Sequence, residues 1–208
     1  MSSKKILDVF YILIYNNSMK VIFLDIDGVM NTEAGIMKFH KLYDEGKMSI
    51  DEYIYEHDLP GDEHMLPLKH ILEATDAKIV LSSSWRIMPH CFKKITERFN
   101  KYNIKIYDRT CSHVEVADLI KCGFNPENCW DRKYLYPDEE MLRTCDRGAE
   151  IGLWLHDHPD VESFVIFDDD DMDIIPYFPN NYIKTDFYGE GLNMKLANKA
   201  IEILNKEK

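Results

Sequence analysis

Four short stretches of this chain carry side chains whose types and spacing could do chemistry. In residues 21–32, VIFLDIDGVMNT, four apolar residues run into Asp25, one apolar spacer precedes Asp27, and a glycine stands at 28. A short continuous apolar run reads as a strand buried on both faces. Its carboxyl end then holds two carboxylates on one side of the pleat, and Gly28 lets the chain turn sharply. The second stretch is Ser82-Ser83-Ser84-Trp85-Arg86, which follows the apolar residues 79–81. A hydroxyl at the end of a buried strand can donate to a phosphate oxygen. The third is Arg147-Gly148, at the start of a helical pattern. The fourth follows the apolar residues 164–167 and crowds Asp168, Asp169, Asp170, Asp171 and Asp173 into one loop. Acids packed so closely need a cation, and a divalent metal is the natural partner. Each stretch also has a plainer reading. Asp and Gly after a strand form turns, serine runs fill loops, Trp85-Arg86 suits a buried structural pair, and Arg147 can serve its own helix end.

Elements that would position these residues alternate along the chain. Strands are expected over residues 21–24, 78–81, 104–107, 164–167 and 182–184. Helical patterns lie between them, over residues 66–74, 92–99, 147–157 and 192–204. Strands alternating with helices mean an α/β fold with a doubly wound parallel sheet, whose site lies outside the carboxyl ends of the strands. Residues 33–63 offer no strand. They hold a helix opening at Ser49, with Glu52 three residues on to complete a capping box, and Pro60-Gly61 to end it. Residues 108–146 form a second insertion, with a helix expected over residues 114–122, capped by Ser112 and Glu115 and stopped by Gly123.

With 208 residues, the chain is long enough for one domain with a proper core and an inserted cap. We divide it into an extension, residues 1–19, and a domain over residues 20–208 with insertions at about 33–63 and 108–146. The first residues are basic and then apolar, but Asp8 interrupts the apolar part and no small-residue cleavage site follows. They either pack as a helix or represent an upstream reading of the start. No apolar run reaches the roughly 18 residues needed to span a bilayer. The odd number of cysteines, 5 at irregular spacing, points to free thiols in a reducing, cytoplasmic setting. Cys122, Cys129 and His113 match no common zinc spacing. The net charge of −12, from 25 basic and 37 acidic residues, argues against an electrostatic grip on long nucleic acid.

The polar groups at four separated strand or helix ends, in this order, resemble the haloacid dehalogenase (HAD) superfamily. More narrowly, IVLSSSWR, RGAEIGLWL and VIFDDD resemble the HAD domain associated with RNA-repair proteins, where such domains are thought to act as phosphatases. The resemblance implies a HAD-like Rossmannoid sheet in the order 5-4-1-2-3 with small inserted cap segments. It implies a Mg²⁺-dependent phosphomonoesterase working through an aspartyl phosphate. Asp25 would be the nucleophile and Asp27 the general acid and then base. Ser82 would hold the transferring phosphoryl group and Arg147 would neutralise its charge. Gly28, Ser83 and Arg86 would lie on the substrate side, and Asp25, Asp27, Asp168 and Asp169 would surround the metal. Phosphoryl transfer asks mainly for positioning and charge neutralisation, so these residue types suit it.

Other functions remain open at this point: an idle HAD fold used for binding or regulation, a phosphatase of small non-nucleotide metabolites, and a phosphotransferase. The resemblance favours a phosphate on a nucleotide or a short nucleic-acid end, with no membrane or long duplex as partner. Phe39, Tyr43, Tyr53 and Tyr55 of the first insertion are either base-stacking candidates or core packing.

Overall fold

The computed structural model describes residues 18–125, 143–144, 146–171 and 173–206. The expected extension, much of the second insertion, Cys129 and Cys145 lie largely or wholly outside them. The strands are β1 (Met19–Leu24), β2 (Lys78–Leu81), β3 (Ile106–Arg109), β4 (Val114–Glu115), β5 (Arg143–Thr144), β6 (Val161–Asp168) and β7 (Tyr182–Lys184). The helices are α1 (Glu33–Asp44), α2 (Ile50–Glu56), α3 (Asp62–Thr75), α4 (Pro89–Lys101), α5 (Val116–Lys121), α6 (Arg147–Asp157) and α7 (Met194–Leu204). One sheet runs β3-β2-β1-β6-β7, every pair parallel. With the five long-sheet strands counted in chain order, that is 5-4-1-2-3. Strands β4 and β5 form a separate antiparallel ribbon.

Strand β1 is central and apolar on both sides, as a strand covered by helices on both faces must be. Its alternate residues enter two cores. Ile22 and Leu24, with Ile79, Leu81, Val165 and Phe167, meet α3, α4 and α7 on one face. Val21 and Phe23, with Val80 and Ile166, meet Ile151 and Trp154 of α6 on the other. The Phe23 ring stands edge-on to Trp154 at 5.3 Å. This parity decides the site. Continuing the period of two from Val21 and Phe23 sends Asp25 to the α6 face, and Ile166 does the same for Asp168.

The capping box at Ser49 forms, with the Ser49 side chain accepting from Glu52 N–H and Glu52 returning the bond to the Ser49 backbone. Several boundaries differ from the expectation: β3 lies two residues late, β6 and α4 start three residues early, and two further cases have a visible cause. Helix α3 begins at Asp62, so Pro67 lies inside it; Asp62 and Glu63 in its first turn favour the earlier start. The helix expected over residues 114–122 is shorter, because Val114–Glu115 pairs with Arg143–Thr144. Ser112 faces His113 Nδ1 at 3.2 Å rather than capping the helix. The competing interaction is a pairing between residues far apart in sequence, which local pattern does not reveal.

Helix α6 starts against the loop after β6. Gly148 N–H donates to Asp173 O at 3.1 Å. A Cβ at 148 would lie 2.4 Å from that carbonyl oxygen and 2.2 Å from the Tyr177 ring. Gly148→Ala should therefore push the helix start off the loop and cost about 1–3 kcal/mol. An unchanged chemical-denaturation midpoint would show that the contact yields without cost.

Candidate active site

The sheet's hydrogen bonding continues one residue past several strand ends. Asp25 N–H donates to Phe167 O at 3.0 Å, Ser82 N–H to Leu24 O at 3.0 Å, Thr110 N–H to Leu81 O at 3.1 Å and Thr185 N–H to Asp168 O at 3.0 Å. Backbone order thus extends to the carboxylates. Asp25 is 6% exposed and Asp168 3%. Both face the N-terminus of α6, from which Arg147 Nη1 reaches Asp25 Oδ1 at 3.3 Å and Asp168 Oδ2 at 3.6 Å. The same nitrogen donates to Ser82 O. Arg147 is held from behind, since its backbone N–H donates to Asp173 Oδ2 at 2.7 Å.

Asp25, Asp168 and Asp169 each bring a carboxylate oxygen within 4.8 Å of the other two. Burial, the largest cause in each case, raises all three carboxyls above their ordinary value. Arg147 pulls back on Asp25 and Asp168, with a smaller pull from the Ser83 side chain on Asp25; Asp169 feels the Asp25 charge in addition to burial. Asp168 Oδ2 is buried and accepts no hydrogen bond from the described residues. A hard cation takes oxygen ligands and would satisfy both the orphaned oxygen and the crowded charge. These three side chains therefore fit a divalent metal. Gly28 makes room for them: its φ is +71°, and a Cβ there would fall 2.2 Å from Asp169 Oδ2.

Asp27 stands apart from that cluster. It is exposed, and its two oxygens are held by Trp85 Nε1 at 3.0 Å and Asn31 Nδ2 at 2.9 Å. The Asn31 amide also donates to Asp58 O at 3.0 Å and accepts from Gly28 N–H at 3.1 Å. The sequence reading passed over Asn31 entirely. Its one signal is a short amide just beyond a glycine turn, able to bond back onto that turn.

Ser82 and Ser83 are both fully buried. The Ser82 hydroxyl has no partner among the described residues, while its carbonyl accepts from Arg86 and Arg147. Arg86 is not on the substrate side. It is 4% exposed, and its guanidinium donates to the carbonyls of Ser82, Ser83, Thr110 and Cys111 and to Glu150 Oε2. Every one of its N–H groups is spent on tying the β2 and β3 ends to α6.

The aromatics of residues 33–63 mostly pack among themselves. Tyr53 stacks on His57 at 4.8 Å, lies 5.1 Å from Tyr43 and hydrogen-bonds to His40. Tyr55 donates to Glu97 at 2.8 Å. Cys91, Cys111 and Cys122 are free thiols. No described helix is long and apolar enough to cross a membrane.

A family model described as the HAD domain in Swiss Army Knife RNA repair proteins matches residues 21–197. No curated protein and no solved structure matches the chain.

Glu150 and Arg86 form a buried ion pair at 2.5 Å. Burial pushes the Glu150 carboxyl up to about 7, against the pull of Arg86 and Arg147. A carboxyl raised in the folded state contributes stability that is complete below its ordinary value, near 4.5, and fades as pH rises through about 7. Between pH 5 and 8, in EDTA, wild type should lose on the order of 2–3 kcal/mol more than Glu150→Gln. Parallel stability curves for the two proteins would contradict this.

Proposed function

The chain belongs to the family of HAD domains found in Swiss Army Knife RNA repair proteins, and from that membership we propose that it is a phosphomonoesterase acting on a nucleotide or a nucleic-acid end phosphate. The observation that carries the reading is the arrangement around Asp25: a carboxylate at the end of the central strand, faced by Arg147 at 3.3 Å and flanked by Asp168 and Asp169. An anionic group brought to Asp25 would meet a guanidinium, the Ser83 hydroxyl and the backbone amides of the turn that Gly28 opens. Preorganised charge of this kind supplies most of what phosphoryl transfer needs.

In the proposed reaction, Asp25 Oδ attacks phosphorus and an aspartyl phosphate forms as the bond to the leaving oxygen breaks. Asp27 gives its proton to that oxygen. Water then attacks the aspartyl phosphate, Asp27 takes the water's proton, and inorganic phosphate leaves with Asp25 restored. Splitting hydrolysis in this way replaces one difficult step by two easier ones. Trp85 and Asn31 keep Asp27 aimed at the leaving group. Asp25, Asp168 and Asp169 would hold Mg²⁺, which supplies further neutralisation of phosphoryl charge. Ser82 lies behind Asp25, with its hydroxyl in the interior.

Asp25→Asn should reduce turnover to below about one-thousandth of wild type while far-UV circular dichroism stays unchanged, and BeF₃⁻ should be trapped on Asp25. Excess EDTA should abolish activity, and Mg²⁺ should raise the melting temperature of wild type through linkage. An adduct on another residue, or full activity in EDTA, would end the assignment.

Asp27 can be tested through the leaving group. Trp85→Phe keeps the ring and removes the donor to Asp27. It should lower kcat about tenfold or more for alkyl phosphates, whose leaving oxygen needs a proton, and change it less than about threefold for p-nitrophenyl phosphate. Equal losses on both substrates would mean that Trp85 acts through the fold and not through the acid.

A further inference from the structure

Between the end of β7 and the start of α7 lies a cavity of about 630 Å³ that opens on Asp169. Its volume is that of an ordinary small-molecule site, and Asp169 is shared with the carboxylate cluster. We propose that this cavity receives the leaving group, and that it selects a nucleoside bearing a single phosphate over one that carries a further phosphate. The inference rests on the phosphatase reading and narrows it to a mononucleotide, because the leaving group of a nucleic-acid end carries further phosphates.

Three features of the wall argue for it. Phe187 and Tyr188 stand edge to face at 5.2 Å, and Tyr188 is 78% exposed, which leaves a ring face open for stacking on a base. Thr185 is 4% exposed, and its hydroxyl has no partner among the described residues. The charge is negative: Asp169, Asp186 and Glu190 line the cavity, whereas its lysine, Lys184, is already paired with Asp171 at 2.6 Å. Ribose hydroxyls and exocyclic amines are donors and suit carboxylate and hydroxyl acceptors. A second phosphate on the leaving group would be a dianion among acids with the nearby cation engaged. Selectivity of this kind is built by repulsion of the wrong ligand as much as by attraction of the right one.

The test compares kcat/KM of the full chain with Mg²⁺ for glycerol 2-phosphate, adenosine 5′- and 3′-monophosphate, and adenosine 3′,5′-bisphosphate, together with an NMR titration by adenosine alone. At least one monophosphate should exceed both glycerol phosphate and the bisphosphate by about tenfold or more. Glu190→Gln and Asp186→Asn should raise the bisphosphate rate toward that of the monophosphate. Tyr188→Ala, at an exposed position, should lower the rate on adenosine monophosphate several-fold more than that on glycerol phosphate, and should weaken adenosine binding. Turnover of glycerol phosphate at the rate of the monophosphates, with variants that alter neither ratio, would overturn the inference and leave the phosphatase reading intact. Loss of all turnover would sink the phosphatase reading; saturable adenosine binding that Tyr188→Ala weakens would then still support the cavity assignment, and absence of such binding would overturn it.

Discussion

Three carboxylates within 4.8 Å of one another at the carboxyl edge of a sheet set the terms for the rest of the structure. Such a group cannot hold its charge without compensation, and the compensation has to come from somewhere rigid. It comes from Arg147, whose nitrogen lies within 3.6 Å of both Asp25 and Asp168. Arg147 can be there because α6 covers the face of the sheet to which the odd residues of β1 point. The close contact at Gly148 and the bond from Arg147 N–H to Asp173 then fix where α6 begins. A longer residue at 148 or a different register of α6 would move the guanidinium, and the carboxylates would be left with each other.

The carboxyl edge of the sheet is also where polar groups go unsatisfied. Among the described residues, buried oxygens of Thr110, Ser82, Asp168 and Thr185 find no hydrogen-bond partner, and these residues follow or end β3, β2, β6 and β7, the four strands that flank β1. A buried polar group left unpaired costs about 1–3 kcal/mol, so this edge is held in place at a cost. The Arg86–Glu150 pair braces the same edge. Arg86 collects carbonyls from the ends of β2 and β3 while its ion pair fastens both to α6. Breaking a buried pair by removing one partner is far more costly than never having had it, so the framework is specified even though a buried pair adds little net stability.

The main architecture was legible in the sequence. Apolar runs closed by Asp25, Ser82 and Asp168 gave strand positions and polarity together, because a run buried on both faces leaves its first polar residue at the strand end. The order of the sheet followed from the resemblance that those ends carry. Residues whose role depends on what lies opposite them in space were harder. Arg86 next to Trp85 looked as suited to substrate as to structure, and only the arrival of Thr110, Cys111 and Glu150 around its guanidinium decides the matter. Tyr53 and Tyr55 looked available for stacking until the packing of α1, α2 and α4 engaged them. Asn31 carried only the faint signal of an amide after a glycine turn, since two of its partners are a carboxylate four residues back and a carbonyl twenty-seven residues ahead. The short β4–β5 pairing overrode a local helix signal for the same reason.

Asp25 and Asp27 are two residues apart in sequence but belong to different mechanical units. Asp25 is fixed by the sheet: its N–H is in the ladder, and its carboxylate faces Arg147 from a helix packed on the core. Asp27 lies beyond the strand, and its side chain is bound to Trp85 on one oxygen and to Asn31 on the other. Through Asn31 it is joined to the carbonyl of Asp58, at the exit of the helical insertion, and Asp58 is in turn paired with Lys94 of α4. The position of one carboxylate is therefore set by the sheet and Arg147, and that of the other by the core residue Trp85 together with the junction between the insertion and the core. An insertion that shifts on this junction would move Asp27 while leaving Asp25 and its charge partners where they are. This division suits a reaction in which one carboxylate must stay aligned with a single atom, while the other must reach leaving groups of different shape.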